Sequence, residues 1–445
     1  MKYGITVILF LVILINYSSY AQPEQFSLRE AQDYAIENNY NIRNANAEVE
    51  ASRFQVKENI ARGLPQIEGS VDYTYYIQLP TTIIPGNNEF NPGPDLKAQF
   101  GKPHNVFLNL NLNQLIFDTR YFIGLRYAKT MEQKTEEELL KTEIDVKALV
   151  AQTYYRILVN EESLLILDSL QKVLQQTRYE TEELFKAGFA EETDYDQLTL
   201  TITDIDNSIN ELKRLRDLGY DLLRFQLALP LEHPIELTET LDDILAEIEI
   251  EAVMDQEFDI NKNIDYRIIK TQEEMSLLNV KNERSAYYPS LNGFVTVQTS
   301  AQRDQFTIFR DGYPWLPTSS AGASLRVPIF SSGQRQARLE QAKIQLEQVK
   351  ISRKQIEQNL NLSVVQARAA FRTAVENFFR EEDNVELALK IYDKALIKFR
   401  EGVASSVELT QQHQQYFNAQ SNYFQTVLEL LNAKIELDKT LGNYN

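Results

Sequence analysis

The sequence predicts a mainly α-helical protein with a small membrane-type β part, and three observations carry that prediction. Two stretches, Thr119 to Gly188 and Ser331 to Gly402, each run for about 70 residues without a proline, with only Gly124 or Gly333 near the start. Four short segments alternate apolar and polar residues with period 2. The second half of the 445-residue chain repeats the first.

The repeat sets the order of elements. At an offset of 224, Arg43 matches Arg267, Val56-Lys57 matches Val280-Lys281, Pro65 matches Pro289 and Gly69 matches Gly293. Further on, Ile116-Phe117 answers Ile329-Phe330 at 213, and Phe185-Lys186-Ala187-Gly188 answers Phe399-Arg400-Glu401-Gly402 at 214. Each copy runs helix, strand pair, long helix, turn, helix. A repeat of this length is a duplicated half-protein and not a solenoid module. The first copy spans 22–229 and the second 262–445, and the acidic segment 230–261 links them.

Residues 1–21 hold Lys2, the apolar run Ile5 to Ile15 and Ser19-Tyr20-Ala21 before Gln22, the pattern of a cleaved secretory signal. After Ala21 no apolar run approaches the roughly 20 residues a membrane helix needs, so membrane insertion has to use strands. The absence of cysteine excludes disulfides, thiolate metal sites and lipid attachment through a thiol. With 64 acidic residues against 45 basic ones, of which Lys2 leaves with the signal, the mature chain carries −20, which argues against nucleic acid as a partner.

The two long runs are predicted to be helices of about 105 Å each at 1.5 Å per residue. The helices Ser27 to Arg62, Thr193 to Leu229, Ile264 to Tyr287 and Ser405 to Leu441 are roughly half as long. Coiled-coil spacing marks the segments after the turns: Leu409, Tyr416, Tyr423, Leu430 and Leu437 recur every seven residues, as do Leu198, Ile205 and Leu212.

The strands are predicted at 66–79, 105–117, 290–302 and 319–330. Ile67, Gly69, Val71, Tyr73 and Tyr75 alternate with polar residues, and Leu108, Leu110 and Leu112 alternate with Asn109, Asn111 and Asn113. Leu291, Val295 and Val297 face away from Asn292, Thr296 and Gln298, and Ala321, Ala323, Leu325 and Val327 from Ser320, Ser324 and Arg326. Each segment has about the length that crosses a bilayer at a tilt. Four strands leave two open edges, which lipid does not tolerate, so a barrel has to be shared between subunits, and a trimer gives twelve strands. The loop from Pro80 to Pro103, broken by five prolines and three glycines, is expected outside the cell. Arg303 to Pro317 is its counterpart, where Tyr313 and Trp315 suit either a lipid interface or loop packing.

In this order of elements the chain resembles the TolC-like outer-membrane efflux proteins, the outer membrane factors, over essentially the whole mature sequence. The features that carry the likeness are Ala61-Arg62-Gly63-Leu64-Pro65 and Ala286-Tyr287-Tyr288-Pro289 before the strands, Pro328-Ile329-Phe330 after them, and the two turns Gly188-Phe189-Ala190 and Gly402-Val403-Ala404. The resemblance implies a homotrimer in the outer membrane of a Gram-negative-type bacterium, with twelve strands in a β-barrel, twelve helical columns in a tapering periplasmic α-barrel, and the linker as an equatorial belt. It implies a passive exit duct from periplasm to exterior that works with a periplasmic adaptor and an inner-membrane pump.

By the same resemblance, the turns meet the adaptor through Ala187, Gly188, Phe189 and Ala190 in the first copy and Glu401, Gly402, Val403, Ala404 and Ser405 in the second. The glycines also have a purely local reason, the left-handed residue that ends a helix. For the aperture, family members close on a carboxylate bonded to a basic residue and a tyrosine, with acidic rings beside them. Asp194 falls on the carboxylate and Glu408 on one ring. Ala404 stands at the basic position, Phe399 at the tyrosine and Gln411 at the second ring, so that lock cannot form in the family's way. Apolar closure by Phe185 and Phe399 is one replacement, filling of coiled-coil seams by both is the other, and Thr193 and Asp194 also suit a plain helix cap.

The sequence suggests no enzyme, cofactor or metal centre: His104, His233 and His413 are scattered without a second ligand at metal spacing and are expected to be solvated. A soluble or peripheral coiled-coil scaffold, such as an adaptor, is the alternative function, and two hairpins with two lipid-ready strand pairs speak against it.

Overall fold

The computed structural model describes residues 23–89, 92–250, 256–308, 310, 312 and 314–444; the signal segment and Tyr313 lie outside them. The chain forms two compact units, and each draws on both sequence halves. Of the described residues, one unit takes those within Met1–Arg43, Thr142–Phe258 and Ser363–Asn445, the other those within Asn44–Lys141 and Asp259–Leu362. Among the described residues no helix is long and apolar enough to cross a membrane.

The predicted first helix is in fact two, α1 (Leu28–Asn38) and α2 (Tyr40–Ala61). Ser27 and Glu30 form a capping box at the start of α1. The break is at Asn39, a buried residue with extended backbone, whose Oδ1 accepts from the Asn41 N–H at 2.8 Å and whose amide donates to the Gln226 carbonyl at 2.6 Å. A side chain that caps one helix and ties to the end of another explains a break that periodicity does not reveal. Strand β1 (Glu24–Phe26) pairs in parallel with β6 (Ile235–Leu237) of the linker.

The second unit holds an antiparallel sheet of β2 (Gln66–Tyr75), β5 (His104–Phe117), β7 (Ser290–Arg303) and β8 (Leu316–Arg326), in the order β2-β5-β7-β8. Its register aligns the alternation row by row. Ile67, Leu112, Val295 and Ala321 form one row of the apolar face and Gly69, Leu110, Val297 and Ser319 the next. The opposite face carries Ser70, Asn109, Gln298 and Thr318, then Glu68, Asn111, Thr296 and Ser320. Ile67, Val71, Leu110, Val295 and Val297 are exposed, and β2 and β8 are exposed along their whole length with one edge unpaired. Phe294 lies across Gly322 on the wet face, so close that a Cβ there would come within 2.7 Å of the ring.

Strand β8 starts before and ends earlier than the predicted 319–330, because Pro328 lacks the N–H a ladder needs. Likewise β2 stops at Tyr75, short of residue 79, and the loop between β2 and β5 adds a small hairpin of β3 (Thr81–Ile84) and β4 (Leu96–Gln99). At this end of the sheet Phe306 packs edge-on to Tyr73 at 5.6 Å, and the Tyr73 hydroxyl meets His104 Nδ1 at 2.8 Å. Lys102 bonds Asp304 at 2.6 Å, joining the two loops, and Trp315 is half-buried. The apolar face thus runs from about Leu108 to Phe117, interrupted by Gln114, over roughly 33 Å of strand, or about 25 Å in height at the usual tilt, which is the apolar thickness of an outer-membrane barrel.

The two longest helices, each divided between the units, are α3 (Thr119–Lys186, 68 residues) and α7 (Gln334–Arg400, 67 residues). The shorter helices are α4 (Glu192–Gln226), α5 (Leu241–Ala246), α6 (Ile264–Ser285) and α8 (Ser406–Leu441). In the first unit α3, α4, α7 and α8 share a core in which Leu198 and Ile205 of α4 meet Leu409 and Tyr416 of α8, with Leu170, Leu174, Tyr392 and Leu396 between them. Leu430 and Leu437 continue the seven-residue spacing into a second cluster around Phe371, and only Tyr423 of that series stays half-buried.

Candidate functional site at the hairpin ends

The chain reverses twice at the far ends of α3 and α7, and both turns have the same backbone. Gly188 and Gly402 sit at φ +80° and +70°, where a Cβ is penalised. The N–H of Phe189 bonds the Leu184 carbonyl at 2.8 Å, and that of Val403 bonds Lys398 at 2.9 Å, the helix-ending pattern expected of a left-handed glycine. Ala187, Gly188, Phe189, Glu401, Gly402, Val403 and Ser405 are exposed, whereas Ala190 and Ala404 are half-buried. Phe189 and Val403 retain 83% and 77% of their accessible surface, so each turn ends in a bare apolar tip.

Behind the tips the two hairpins are tied by polar contacts. One Asp194 oxygen accepts from the Glu191 N–H at 3.4 Å, closing the cap of α4, while the other accepts from the Ser406 N–H at 3.3 Å at the start of α8. A single carboxylate therefore sits at the positive ends of two helices, so capping and cross-linking are one role. Thr193 donates to Glu191 at 3.2 Å, within its own hairpin. Ser405 caps α8 by accepting from the Glu408 N–H at 3.2 Å.

Four residues before Ala404 a cation reaches the other hairpin. Arg400 lies 3.5 Å from Glu180 and donates to the Thr177 hydroxyl at 3.3 Å, both on α3. Its repeat partner Lys186 turns back onto its own helix, bonding Glu182 at 3.0 Å and Glu183 at 2.8 Å. The sequence explains the difference. Lys186 has carboxylates three and four residues before it, where Arg400 has Ile397 and Leu396, so the arginine finds its anion across the hairpin. That missing local partner is the signal by which sequence reasoning would have found Arg400 and Glu180. A cavity of about 220 Å³ lies between these ties, lined by Thr181, Leu184, Phe189, Asp194, Phe399 and Ala404 among others.

The two equivalent phenylalanines are not equivalent in space. Phe399 is half-buried against the shared core, while Phe185 is exposed. Phe399 therefore fills a seam, and Phe185 is left for whatever the tip meets. Gln411 and Glu408 lie on exposed faces of α8.

The histidines are not uniformly solvated as expected. His104 is bonded to Tyr73, and His233 meets Glu24 at 2.9 Å. His413 is only 4% exposed and packs beside Tyr392 and Phe417, with no hydrogen-bond partner for its Nδ1 among the described residues. It occupies a seam position of α8, so packing outranks its polarity. Burial pushes the imidazole down to about 4, against a weaker upward pull from Asp204. Because the folded value lies below the unfolded 6.5, the unfolded chain takes the proton first. Stability from this residue is thus full above about pH 6.5 and is lost as pH falls towards 4, by on the order of 3 kcal/mol. His413→Leu is expected to remove that part of the acid sensitivity, measured as the change in unfolding midpoint between pH 7.5 and 4.5. An undiminished change in the variant would contradict the assignment. No group of three or more His, Asp or Glu side chains is placed to hold a metal among the described residues.

The profile of the family described as outer membrane efflux protein matches residues 32–219 and 270–443. The protease secretion protein PrtF of Dickeya chrysanthemi is 20% identical over 457 residues, covering 98% of this chain and 92% of PrtF. The solvent efflux pump outer membrane protein SrpC of Pseudomonas putida is 20% identical over 411 residues, with 92% of this chain and 84% of SrpC covered. Among solved structures, the outer membrane protein VceC of Vibrio cholerae superposes with a TM-score of 0.71 at 12% identity, over 93% of this chain and 96% of VceC.

Proposed function

We propose, for a chain that belongs to the outer membrane efflux protein family, that three copies join their sheets edge to edge into one barrel and gather their hairpins into a periplasmic tunnel. The protein is an outer-membrane channel with a large periplasmic helical part, the passive exit duct of an efflux or secretion system. Its family is one of channels and not of enzymes.

The observation that carries the trimer is the sheet: four strands with an apolar face, a wet face and two unpaired edges. A single copy leaves backbone donors and acceptors open in lipid, and only neighbouring copies can pair them. In that assembly the apolar rows meet lipid, the Asn, Ser, Thr and Gln rows line water, and the repeats 22–229 and 262–445 contribute equivalent halves about the linker 230–261. The bare tips at Phe189 and Val403 suit an adaptor that an inner-membrane pump drives, and Asp194, Arg400 and Glu180 hold the aperture behind them.

The test is the mass of the protein extracted in detergent. Three copies per particle with full strand content by circular dichroism is the expected result. A monomer with the same strand content would overturn the shared barrel, and recovery without detergent would return the scaffold reading.

A further inference from the structure

The wet face of the sheet carries charge only on its two open edges. Along its rows the middle strands β5 and β7 present Asn, Ser, Thr and Gln, with Phe107, Leu115 and Phe294 among them. On the same face β2 contributes Glu68 and Asp72, and β8 contributes Arg326. The edges therefore differ in sign, acidic at β2 and basic at β8.

Asp72 is engaged within its own chain, accepting from the Asn109 amide at 3.0 Å and the Ser70 hydroxyl at 3.2 Å. Glu68 and Arg326 are exposed, and their side chains have no ion-pair or hydrogen-bond partner among the described residues. An unmatched carboxylate on one edge and an unmatched guanidinium on the other suit a contact between unlike edges. Pairing β2 with β2 would set carboxylates together, and pairing β8 with β8 would set guanidiniums together.

The strand ends bring the two charges to one level. The hydrogen-bonded row Gln66, Asn113, Phe294 and Gly322 is the last of β2, whereas β5 runs on to Phe117, β7 begins at Ser290 and β8 runs on to Arg326. The helix-side ends thus step down from the β2 edge to the β8 edge, as slanted barrel strands must. A neighbouring β2 that continues the descent sets its Gln66 past Gly322. With the wet faces aligned and twelve strands tilted by about 35–45°, the step is about four or six residues. Six places Arg326 opposite Glu68 of the next copy. Four places it opposite Gln66, with Glu68 as the diagonal neighbour, still within reach of an arginine.

We propose that Arg326 of one copy and Glu68 of the next form an ion pair across each closing seam of the barrel, so that the sheet edges recognise one another by charge and close head to tail. The inference rests on the shared-barrel reading above and names the contact that selects its edges. In a water-lined wall one ion pair stabilises little, but a like-charge contact at every seam opposes closure.

The test compares the full-length wild type, Arg326→Glu, Glu68→Arg and the combined Arg326→Glu/Glu68→Arg in detergent, reading the midpoint temperature of trimer dissociation. Each single reversal is expected to lower the midpoint by roughly 5 °C, and the combined reversal to return it to within about 2 °C of the wild type. The single variants should recover part of their loss in about 1 M salt, which screens repulsion and does not mend a packing defect. Single reversals that leave the midpoint unchanged, a combined variant below either single one, or absence of the trimer in all three would overturn the pair. So would losses that salt does not reduce, which would assign them to packing. A monomeric wild type with full strand content would overturn the shared barrel and this inference together, and its mass separates that case from the others.

Discussion

Leu110→Arg is expected to abolish assembly in the outer membrane, whereas Asn109→Arg, one residue away, leaves it intact. Leu110 lies in the middle of β5, in the row of Gly69 and Val297 on the apolar face. A cation near the bilayer midplane costs about 2–4 kcal/mol in a barrel, and a trimer would bear it three times, roughly 6–12 kcal/mol in all. That is of the order of the entire stability of a typical domain. Asn109 belongs to the opposite face, where its amide donates to Ser70 at 3.2 Å and Asp72 at 3.0 Å. An arginine there meets a carboxylate and water, and the expected change is a lower preference for cations. The yield of trimer in isolated outer membranes checks both variants. Equal yields would show that β5 does not have one lipid-facing and one wet face.

Arg400→Ala combined with Asp194→Ala is expected to raise single-channel conductance severalfold and to sensitise cells to large antibiotics. Each tie alone is modest. The Arg400 and Glu180 side chains are 41% and 42% exposed, and such a pair is worth about 0–1 kcal/mol. Asp194 adds a single charge-assisted bond to Ser406, itself on the order of 1 kcal/mol in a half-exposed place. Either substitution alone should therefore shift the aperture less than the pair. Lys186→Ala is the control, because that cation binds only its own helix. Phe399→Ala, by contrast, opens the aperture by loosening the core beneath it and should lower thermal stability as well. If Lys186→Ala matched the double variant, the cross-hairpin ties would not be what holds the ends together.

The sequence made the helices and the four lipid-ready strands legible because their signals are redundant. Leu198, Ile205, Leu409 and Tyr416 mark seams at every heptad, and Leu108 to Asn113 mark a strand by strict alternation; the sheet register then brings like faces together. Breaks set by single tertiary contacts were not legible. Asn39 splits a helix through the Gln226 carbonyl, 187 residues away, and no local pattern announces it. The hairpin site was half legible. Asp194 stands out through the glycine alignment, and the structure gives it a bond to Ser406; the contact of Arg400 with Glu180 does not stand out, because a cation is sought only at Ala404. His413 was misjudged for a related reason: a histidine in a seam position follows the helix face and not its own polarity.

The measurement that most directly tests the shared barrel is disulfide formation across the two open sheet edges. The chain has no cysteine of its own, so a pair can be introduced cleanly. Ser70→Cys on β2 is combined in turn with cysteine at Thr318, Ser320 and Ser324 of β8, which share its wet face, and Ser70→Cys with Asn109→Cys serves as the in-chain control, since those two residues face each other in the register. Oxidation in native outer membranes should yield covalent species of two and three copies for at least one β2–β8 pair. If the control oxidises while every β2–β8 pair stays at the mass of one chain, the edges do not meet between copies and the twelve-stranded barrel is wrong.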